Sequence, residues 1–393
     1  MKPPITCDIF CTVVDNYGDI GVSWRLARQL ANEHGVAVRL WLDDLASLQR
    51  LCPELDAGLE RQVCRGVEVA HWSKEFPEAQ PADLVVEAFA CELPPSYIRA
   101  MAAQEQKPVW VNLEYLSAED WVEGCHKLPS PRPNLPLVKY FFFPGFTPKT
   151  GGLLLERDLL ARRDAFQRNP AALDAFWHGL NLPPTQANEL RISLFCYENP
   201  AIPELLQTWE SGTRPITCLV PEGRALPQVA AYFGATQPKV GDAWSRGRLQ
   251  ARVLPFVEQA RYDELLWACD INFVRGEDSF VRAQWAGKPL IWHIYPQHDG
   301  VHMQKLRAFL EKYCAGLTPD AAQALHGLWE GWNGAGNGVA AWNDFAARQS
   351  MLAEHAQFWA QALSGNSLAL NLLDFFREIG KIRPFGIKAG RQS

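Results

Sequence analysis

The chain has 393 residues, more than one ordinary hydrophobic core organises, so two domains are the natural prediction. Its formal net charge is −6 at pH 7, and it contains no block of lysine or arginine. This balance argues against binding to naked nucleic acid or to an anionic membrane. No apolar stretch reaches the roughly 18 residues that a membrane-spanning helix needs.

The N-terminal sequence MKPPITCDIF lacks the basic start and the long apolar stretch of a signal peptide. The ten cysteines are scattered singly, without a Cys-x-x-Cys pair, so we expect reduced and mostly buried thiols. These features predict a cytoplasmic enzyme and exclude a secreted disulfide scaffold.

The first half of the chain alternates strand and helix patterns. A β-prone run at 7–14 precedes the helical pattern 22–35, whose end is marked by Gly35. Further strands are predicted at 36–44, 83–89 and 108–116. Buried strands separated by helices predict a parallel sheet with helices on both faces. The loops that follow the strands would then share one edge of that sheet.

The middle of the chain, roughly 125–155, is rich in proline and aromatic residues. The prolines predict a long surface loop and a crossover between domains. The segment KYFFFPGF, residues 139–146, is too hydrophobic for a free linker. It should therefore pack on the protein or contact a partner.

The alternation restarts in the second half, and the chain ends in helical patterns. Strands are predicted at 192–197, 215–220, 251–257, 269–275 and 289–295. We predict an N-terminal domain over 1–180 and a C-terminal domain over 181–365, with a helix over 366–382 that could pack back on the first. The fold class is α/β, with two Rossmann-like domains facing across a cleft, as in two-lobed glycosyltransferases.

The segment RGEDS, residues 275–279, joins a predicted strand to a helix that begins near Ser279. Amides at such a helix start bind phosphate, and Arg275 could add a bidentate contact. Asp278 and Ser279 are also favoured helix caps, so capping is the alternative interpretation of both. Glu277 and Asp278 would repel a diphosphate unless they face sugar hydroxyls or backbone amides.

Three aromatic residues near strand ends, Phe195, Tyr197 and Phe256, could stack on a nucleotide base. Core packing is the alternative for each of them. Gln259 lies close to Phe256 in the chain and could read the edge of a pyrimidine through hydrogen bonds.

The segment DNYGDIG, residues 15–21, places Asp15 and Asp19 between the first strand and the first helix. It matches neither the Gly-x-Gly-x-x-Gly pattern nor a phosphate-binding P-loop. Two carboxylates attract a cation and suit proton abstraction. The alternative is structural, with Asp19 capping the helix and Asp15 stabilising the turn. The histidines near 293–302 lack an assured third ligand, so no metal site is predicted.

Three long segments make the chain recognisable: DNYGDIGVSWRLARQL, NLEYLSAEDWVEG and FVRGEDSFVRAQWAGKPLIWHIYPQ with its trailing HDGVH. Over nearly its whole length the chain resembles the bacterial arginine rhamnosyltransferases of translation elongation factor P, the EarP family. The resemblance implies a metal-independent, inverting glycosyltransferase with the two-lobed GT-B fold. It further implies dTDP-β-L-rhamnose as donor and one arginine of elongation factor P as acceptor.

The resemblance also implies roles for individual residues. Asp19 matches the general base of the family and Asp15 its partner. Asn16, Tyr17 and, more weakly, Tyr115 fall on the acceptor side. The positions that match the donor pocket are Phe195, Tyr197, Phe256, Gln259, Arg275, Glu277, Asp278, Ser279 and Tyr295.

Two other interpretations remain open at this stage. One is a GT-B transferase that uses a different nucleotide-sugar or a different acceptor. The other is a non-catalytic protein that docks a partner through KYFFFPGF and its tryptophan-rich surfaces.

Overall fold

The computed structural model describes residues 3–14, 17–297, 299–336 and 339–382. The chain divides into two compact units. The first unit comprises residues 1–46, 54–155 and 365–393, and the second comprises residues 47–53 and 156–364. Within the described ranges no helix combines the length and the apolar character needed to span a bilayer.

The first unit is built on an eight-stranded sheet in the order β3-β4-β2-β1-β5-β6-β8-β7. The strands are β1 (Thr6–Cys11), β2 (Ala37–Leu42), β3 (Arg61–Cys64), β4 (Val67–His71), β5 (Leu84–Ala88), β6 (Val109–Leu113), β7 (Pro129–Pro131) and β8 (Val138–Phe142). The six inner strands pair in parallel, while β3 and β7 close the two edges antiparallel. The parallel arrangement brings the loops after β1, β5 and β6 to one sheet edge.

The helices of this unit lie between its strands, and one more comes from the end of the chain. They are α1 (Gly18–His34), α2 (Leu45–Leu51), α3 (Pro95–Ala103), α4 (Trp121–Cys125) and, after the second unit, α15 (Leu368–Ile382). Helix α2 runs across the division between the units, since residues 47–53 belong to the second. Gly35 ends α1 at φ 66°, which confirms the predicted glycine stop.

The second unit contains a six-stranded sheet in the order β11-β12-β10-β9-β13-β14. Its strands are β9 (Leu190–Leu194), β10 (Ile216–Pro221), β11 (Ala243–Arg246), β12 (Leu249–Leu254), β13 (Ile271–Arg275) and β14 (Leu290–His293). All pairs are parallel except β11 with β12. The five parallel strands therefore end at one edge, and the loops after them can form one site.

Among its described residues, the second unit also contains ten helices. They are α5 (Leu159–Gln167), α6 (Pro170–Gly179), α7 (Ile202–Ser211), α8 (Leu226–Tyr232), α9 (Gln259–Ala268), α10 (Asp278–Ala286), α11 (Val301–Tyr313), α12 (Pro319–Trp332), α13 (Trp342–Ala347) and α14 (Gln349–Leu363). Large aromatic side chains fill its core, among them Trp209, Trp285, Trp329 and Trp332. Most tryptophans of the chain are thus packing residues.

Residues 156–180, which the sequence grouped with the first domain, belong to the second unit. The guanidinium of Arg163 in α5 donates a hydrogen bond to the carbonyl of Trp285 at 2.8 Å. The amide of Gln167 donates to the carbonyls of Trp267 and Ala286. These contacts tie α5 to the ends of α9 and α10. By contrast, α15 belongs to the first unit, so the end of the chain returns there.

The segment KYFFFPGF forms β8 and the loop after it, and its aromatic rings are largely covered. Phe375 of α15 lies 5.2 Å from the ring of Tyr140 and 5.9 Å from that of Phe142. Phe143 packs against Trp121. Of the two roles expected for this segment, the structure shows packing on the protein.

The ten cysteines are all free, and seven of them are buried. Burial raises the pKa of the Cys196 thiol to about 12, so this side chain stays a neutral thiol. The expectation of reduced, mostly buried cysteines is confirmed.

Candidate active site

The donor-side residues collect at one edge of the second sheet because they follow its parallel strands. Phe195 and Tyr197 follow β9, Arg275 ends β13, Phe256 follows β12 and Tyr295 follows β14. Strands β9, β13 and β14 are direct neighbours, so three of these loops are adjacent. The structure therefore brings together residues that lie up to 100 positions apart in the sequence.

Arg275 lies against two aromatic rings at this edge. Its Cζ lies 4.5 Å from the ring centre of Phe195 and 4.8 Å from that of Tyr197. Its Nη1 donates to the carbonyl of Cys196 at 3.5 Å, and the side chain is buried. Flat guanidinium groups stack on aromatic faces and keep their edges for anions. Arg275 is thus a fixed positive charge beside the start of α10.

The turn from β13 into α10 differs from the capping expected from the sequence. Helix α10 begins at Asp278, and its N-cap is Glu277, without a capping hydrogen bond from that side chain. The hydroxyl of Ser279 accepts the amide proton of Arg275 at 3.0 Å and donates to the carbonyl of the same residue. The capping alternative is therefore wrong for Asp278 and Ser279. Ser279 instead pins the backbone of Arg275.

Gln259 is the first residue of α9 and is buried beside the start of α10. Its Nε2 donates to Oδ2 of Asp278 at 3.2 Å. This contact orients the half-buried carboxylate of Asp278 and couples the two helices. Phe256 is half-buried, and the guanidinium of Arg50 lies 4.7 Å from its ring centre. Arg50 belongs to the segment 47–53 of the same unit, and no sequence motif singles it out.

His293 and Tyr295 flank Tyr197 from the end of β14. The exposed ring of Tyr295 lies 5.5 Å from the ring of Tyr197, and the buried imidazole of His293 lies 5.3 Å from it. Burial, together with the charge of Arg275, lowers the pKa of His293 to about 3. His293 is therefore a neutral packing residue at neutral pH, and the positive charge here belongs to Arg275.

Asp19 lies in the first turn of α1, at the loop edge of the first sheet. The helix begins at Gly18 and its N-cap is Tyr17, so the alternative in which Asp19 caps the helix is wrong. Asp19 is only 3% exposed, and its Oδ2 accepts the amide proton of Val14 at 3.0 Å. The carboxylate thus ties the preceding loop to the helix start, where the helix dipole favours a negative charge. Asp15 and Asn16 lie outside the described residues.

Tyr115 takes part in an aromatic pair at the same edge of the first sheet. Its ring stacks on Phe89 at 4.6 Å with an interplanar angle of 20°. Phe89, Ala90 and Glu92 all have positive φ, between 54° and 56°, which is costly for residues with a side chain. A strained loop after β5 therefore lies beside the loop that carries Tyr115.

Two buried polar side chains hold this strained loop, which follows β5. Oδ1 of Asn112 accepts the amide proton of Ala90 at 3.0 Å, and Oε1 of Glu87 accepts that of Glu92 at 3.2 Å. Glu87 is also paired with Lys139 at 3.2 Å. The sequence signal was present, since an acid and an amide interrupt the apolar strands LVVEA and VWVNL.

The family model described as "Elongation-Factor P (EF-P) rhamnosyltransferase EarP" matches residues 7–377. A protein-arginine rhamnosyltransferase of Pseudomonas putida is 53% identical over 375 residues, which cover 95% of this chain and 98% of the relative. A protein of the same name from Pseudomonas aeruginosa is 49% identical and covers 94% of this chain and 98% of its own length.

A solved structure described as the structural basis for EarP-mediated arginine glycosylation of translation elongation factor EF-P superposes with a TM-score of 0.69. It is 38% identical and covers 95% of this chain and 99% of its own. A glycosyltransferase of Rickettsia africae, at 10% identity and a TM-score of 0.52, shares the fold alone. These matches confirm the predicted GT-B fold and show that the chain is a glycosyltransferase. It belongs to the EarP family of elongation factor P rhamnosyltransferases.

Proposed function

We propose that the chain transfers L-rhamnose, with inversion, from dTDP-β-L-rhamnose to a guanidinium nitrogen of one arginine of translation elongation factor P. The observation that carries this proposal is the match to protein-arginine rhamnosyltransferases along almost the whole chain. Because the acceptor is a translation factor, we place the reaction in the cytoplasm.

The donor half of the reaction fits the loop edge of the second sheet. The base would stack on Phe256, and the diphosphate would meet the edge of Arg275 and the amides at the start of α10. Asp278, oriented by Gln259, would face sugar hydroxyls and thereby avoid the phosphates. Tyr295, with its exposed ring, would complete the sugar side.

The acceptor half requires that a cation become a nucleophile. A guanidinium keeps its proton at all physiological pH values, so its nitrogen attacks poorly unless carboxylates orient and polarise it. We assign this to Asp19, with Asp15 as its partner. As the nitrogen bonds to the anomeric carbon, the bond from that carbon to the diphosphate oxygen breaks with its electron pair. The proton leaving the nitrogen passes to Asp19.

No metal is needed in this scheme because the chain itself supplies positive charge to the leaving group. Arg275 and the backbone amides at the start of α10 would stabilise the diphosphate that departs. Addition of a chelator should therefore leave the rate of transfer unchanged.

The test is the intact mass of elongation factor P after incubation with the enzyme and a series of dTDP- and UDP-sugars. The proposal expects elongation factor P to gain the mass of one deoxyhexose with dTDP-β-L-rhamnose and with no other donor of the series. Transfer of another sugar would instead support a GT-B transferase with a different donor. Failure of dTDP to raise the melting temperature would favour the docking interpretation, since a ligand of the folded state stabilises it.

A further inference from the structure

The loop after β10, residues 222–225, is the one loop at this edge of the second sheet to which no donor contact has been assigned. Strand β10 lies between β12 and β9, whose loops carry Phe256 and Phe195. The carboxylate of Glu222 accepts the amide proton of Phe256 at 3.4 Å. A Cβ placed on Gly223 would lie 3.9 Å from Cε2 of Phe195. This loop therefore lies among the residues of the donor site.

Arg224 is the cation of this loop, and it differs from Arg275 in its exposure and in its hydrogen bonds. Its Cζ lies 5.9 Å from the ring centre of Tyr197, the ring on which Arg275 also stacks. Arg224 is exposed and, among the residues that the structure describes, forms no ion pair or hydrogen bond. Arg275 is buried and donates to the carbonyl of Cys196. The ring of Tyr197 thus lies close to two guanidinium groups, the buried one of Arg275 and the exposed one of Arg224.

We propose that Arg224 is a second diphosphate-binding residue, acting with Arg275 on a nucleoside diphosphate. The inference rests on the proposed function and adds a residue that recognises the leaving group. When the bond from the sugar to the diphosphate breaks, the diphosphate gains one negative charge. A planar guanidinium can meet two of its oxygens at once. Arg275 lies close to two aromatic rings and already donates to the carbonyl of Cys196, and Arg224 supplies the second fork.

The acid nearest in the chain, Glu222, is engaged by other groups. Glu222, two residues before Arg224, lies 4.0 Å from the guanidinium of Arg50 and also accepts the amide proton of Phe256. Its carboxylate is therefore directed at other groups. An exposed arginine beside a diphosphate also steers an anionic donor toward the site, so its effect should weaken as salt increases.

The experiment measures binding of dTDP and of deoxythymidine to the full chain and to the variants Arg224→Ala and Arg224→Lys. We expect Arg224→Ala to bind dTDP about tenfold more weakly, the loss typical of a charged hydrogen bond. Arg224→Lys should recover part of this affinity, because it keeps the charge and loses the fork. Deoxythymidine, which has no phosphate, should bind all three proteins equally.

Arg246→Ala is the matched control. Arg246 is also an exposed arginine over an aromatic ring of this unit, 5.3 Å from Tyr232, but it lies at the opposite sheet edge beside the start of β12. Unchanged dTDP affinity in Arg224→Ala would overturn the inference. An equal loss for deoxythymidine would also overturn it, since the residue would then act through Tyr197. If the wild-type protein binds dTDP through Arg224 but leaves elongation factor P unmodified, the proposed function is refuted and the inference about Arg224 stands.

Discussion

At the scale of single residues, Asp19 combines a structural contact with a proposed chemical role. Its Oδ2 holds the amide of Val14, and its burial places a carboxylate at the start of a helix. An asparagine at this position keeps an oxygen that can accept the same amide proton but loses the negative charge. The two roles can therefore be separated by one substitution.

We expect Asp19→Asn to lower the rate of rhamnose transfer by at least about 100-fold, the usual contribution of a general base. Its melting temperature and its affinity for dTDP should stay close to those of the wild type, because the loop contact is preserved. The measurements are initial rates by mass spectrometry of the acceptor and calorimetric titration with dTDP.

Asp43→Asn is the matched control for this prediction. Asp43 is an exposed aspartate whose Oδ1 accepts the amide proton of Val13 at 3.0 Å. Val13 directly precedes Val14, the residue that Asp19 holds. The control should transfer rhamnose at the wild-type rate. Near-normal activity of Asp19→Asn, or loss of its dTDP binding, would contradict the assignment of Asp19 as the base.

Arg275→Lys tests the stacked guanidinium of the donor site. Lysine keeps the charge but lacks the planar fork that lies against Phe195 and Tyr197, so we expect dTDP to bind about tenfold more weakly. Titration with dTDP checks this, with Arg168→Lys, at the exposed end of α5, as the control. An unchanged dissociation constant would remove Arg275 from the binding machinery.

At the scale of secondary structure elements, the return of the chain end to the first unit depends on a close backbone approach. Gly152 has φ +79°, and a Cβ there would lie 2.2 Å from the carbonyl oxygen of Asn366. Beside it, Leu153 and Ser367 form a parallel β-bridge that leads into α15. Only glycine satisfies both the φ and the space.

We expect Gly152→Ala to detach residues 365–382 and to lower the free energy of unfolding by about 1–3 kcal/mol beyond the cost of the positive φ alone. Gly35→Ala is the control, because Gly35 lies in the same unit at φ +66° and a Cβ there would meet no atom within 4 Å. It measures the cost of the positive φ alone, about 1–2 kcal/mol. Melting temperatures and hydrogen exchange of α15 measure the difference. Equal losses of stability for the two substitutions would show that the close contact between Gly152 and the carbonyl of Asn366 does not stabilise the fold.

The sequence predicted β1, β2, β5 and β6 of the first sheet and the five parallel strands of the second, because their apolar runs are continuous. It missed β3, β4 and β8, where burial is partial or where prolines hide a strand. It also missed the positive φ of Phe89 and Ala90, since only tertiary hydrogen bonds from Asn112 and Glu87 hold that backbone. The placement of α5 was likewise hidden, because its contacts with Trp267, Trp285 and Ala286 link positions 100 or more residues apart in the chain.

At the scale of the whole molecule, each unit contains a histidine that folding keeps neutral, the half-buried His126 in the first and the buried His293 in the second. Burial, with a smaller effect from Lys127, lowers the pKa of His126 to about 4, and its Nδ1 accepts the amide proton of Phe143 at 3.1 Å. His293 in the second unit has its pKa lowered to about 3. Between the ordinary value of 6.5 and these values, the unfolded chain binds protons that the folded chain does not.

The free energy of unfolding should therefore be highest above pH 6.5 and fall as the pH drops from 6.5 toward 4. His126→Asn keeps an acceptor for the amide of Phe143 without a titrating group, so its stability should fall less steeply over this window. Urea unfolding at a series of pH values measures this, with the exposed His178→Asn as control. The same slope in His126→Asn and the wild type would contradict the role of His126.

The central claim concerns the chemical identity of the bond that the enzyme makes. Tandem mass spectrometry of peptides from elongation factor P, after incubation with the enzyme and dTDP-β-L-rhamnose, tests it most directly. We predict a single deoxyhexose on the side chain of one arginine, formed at least about 100-fold more slowly when Asp19→Asn replaces the wild type. A deoxyhexose on any other residue, or an unmodified factor in the presence of enzyme that binds dTDP, would contradict the account.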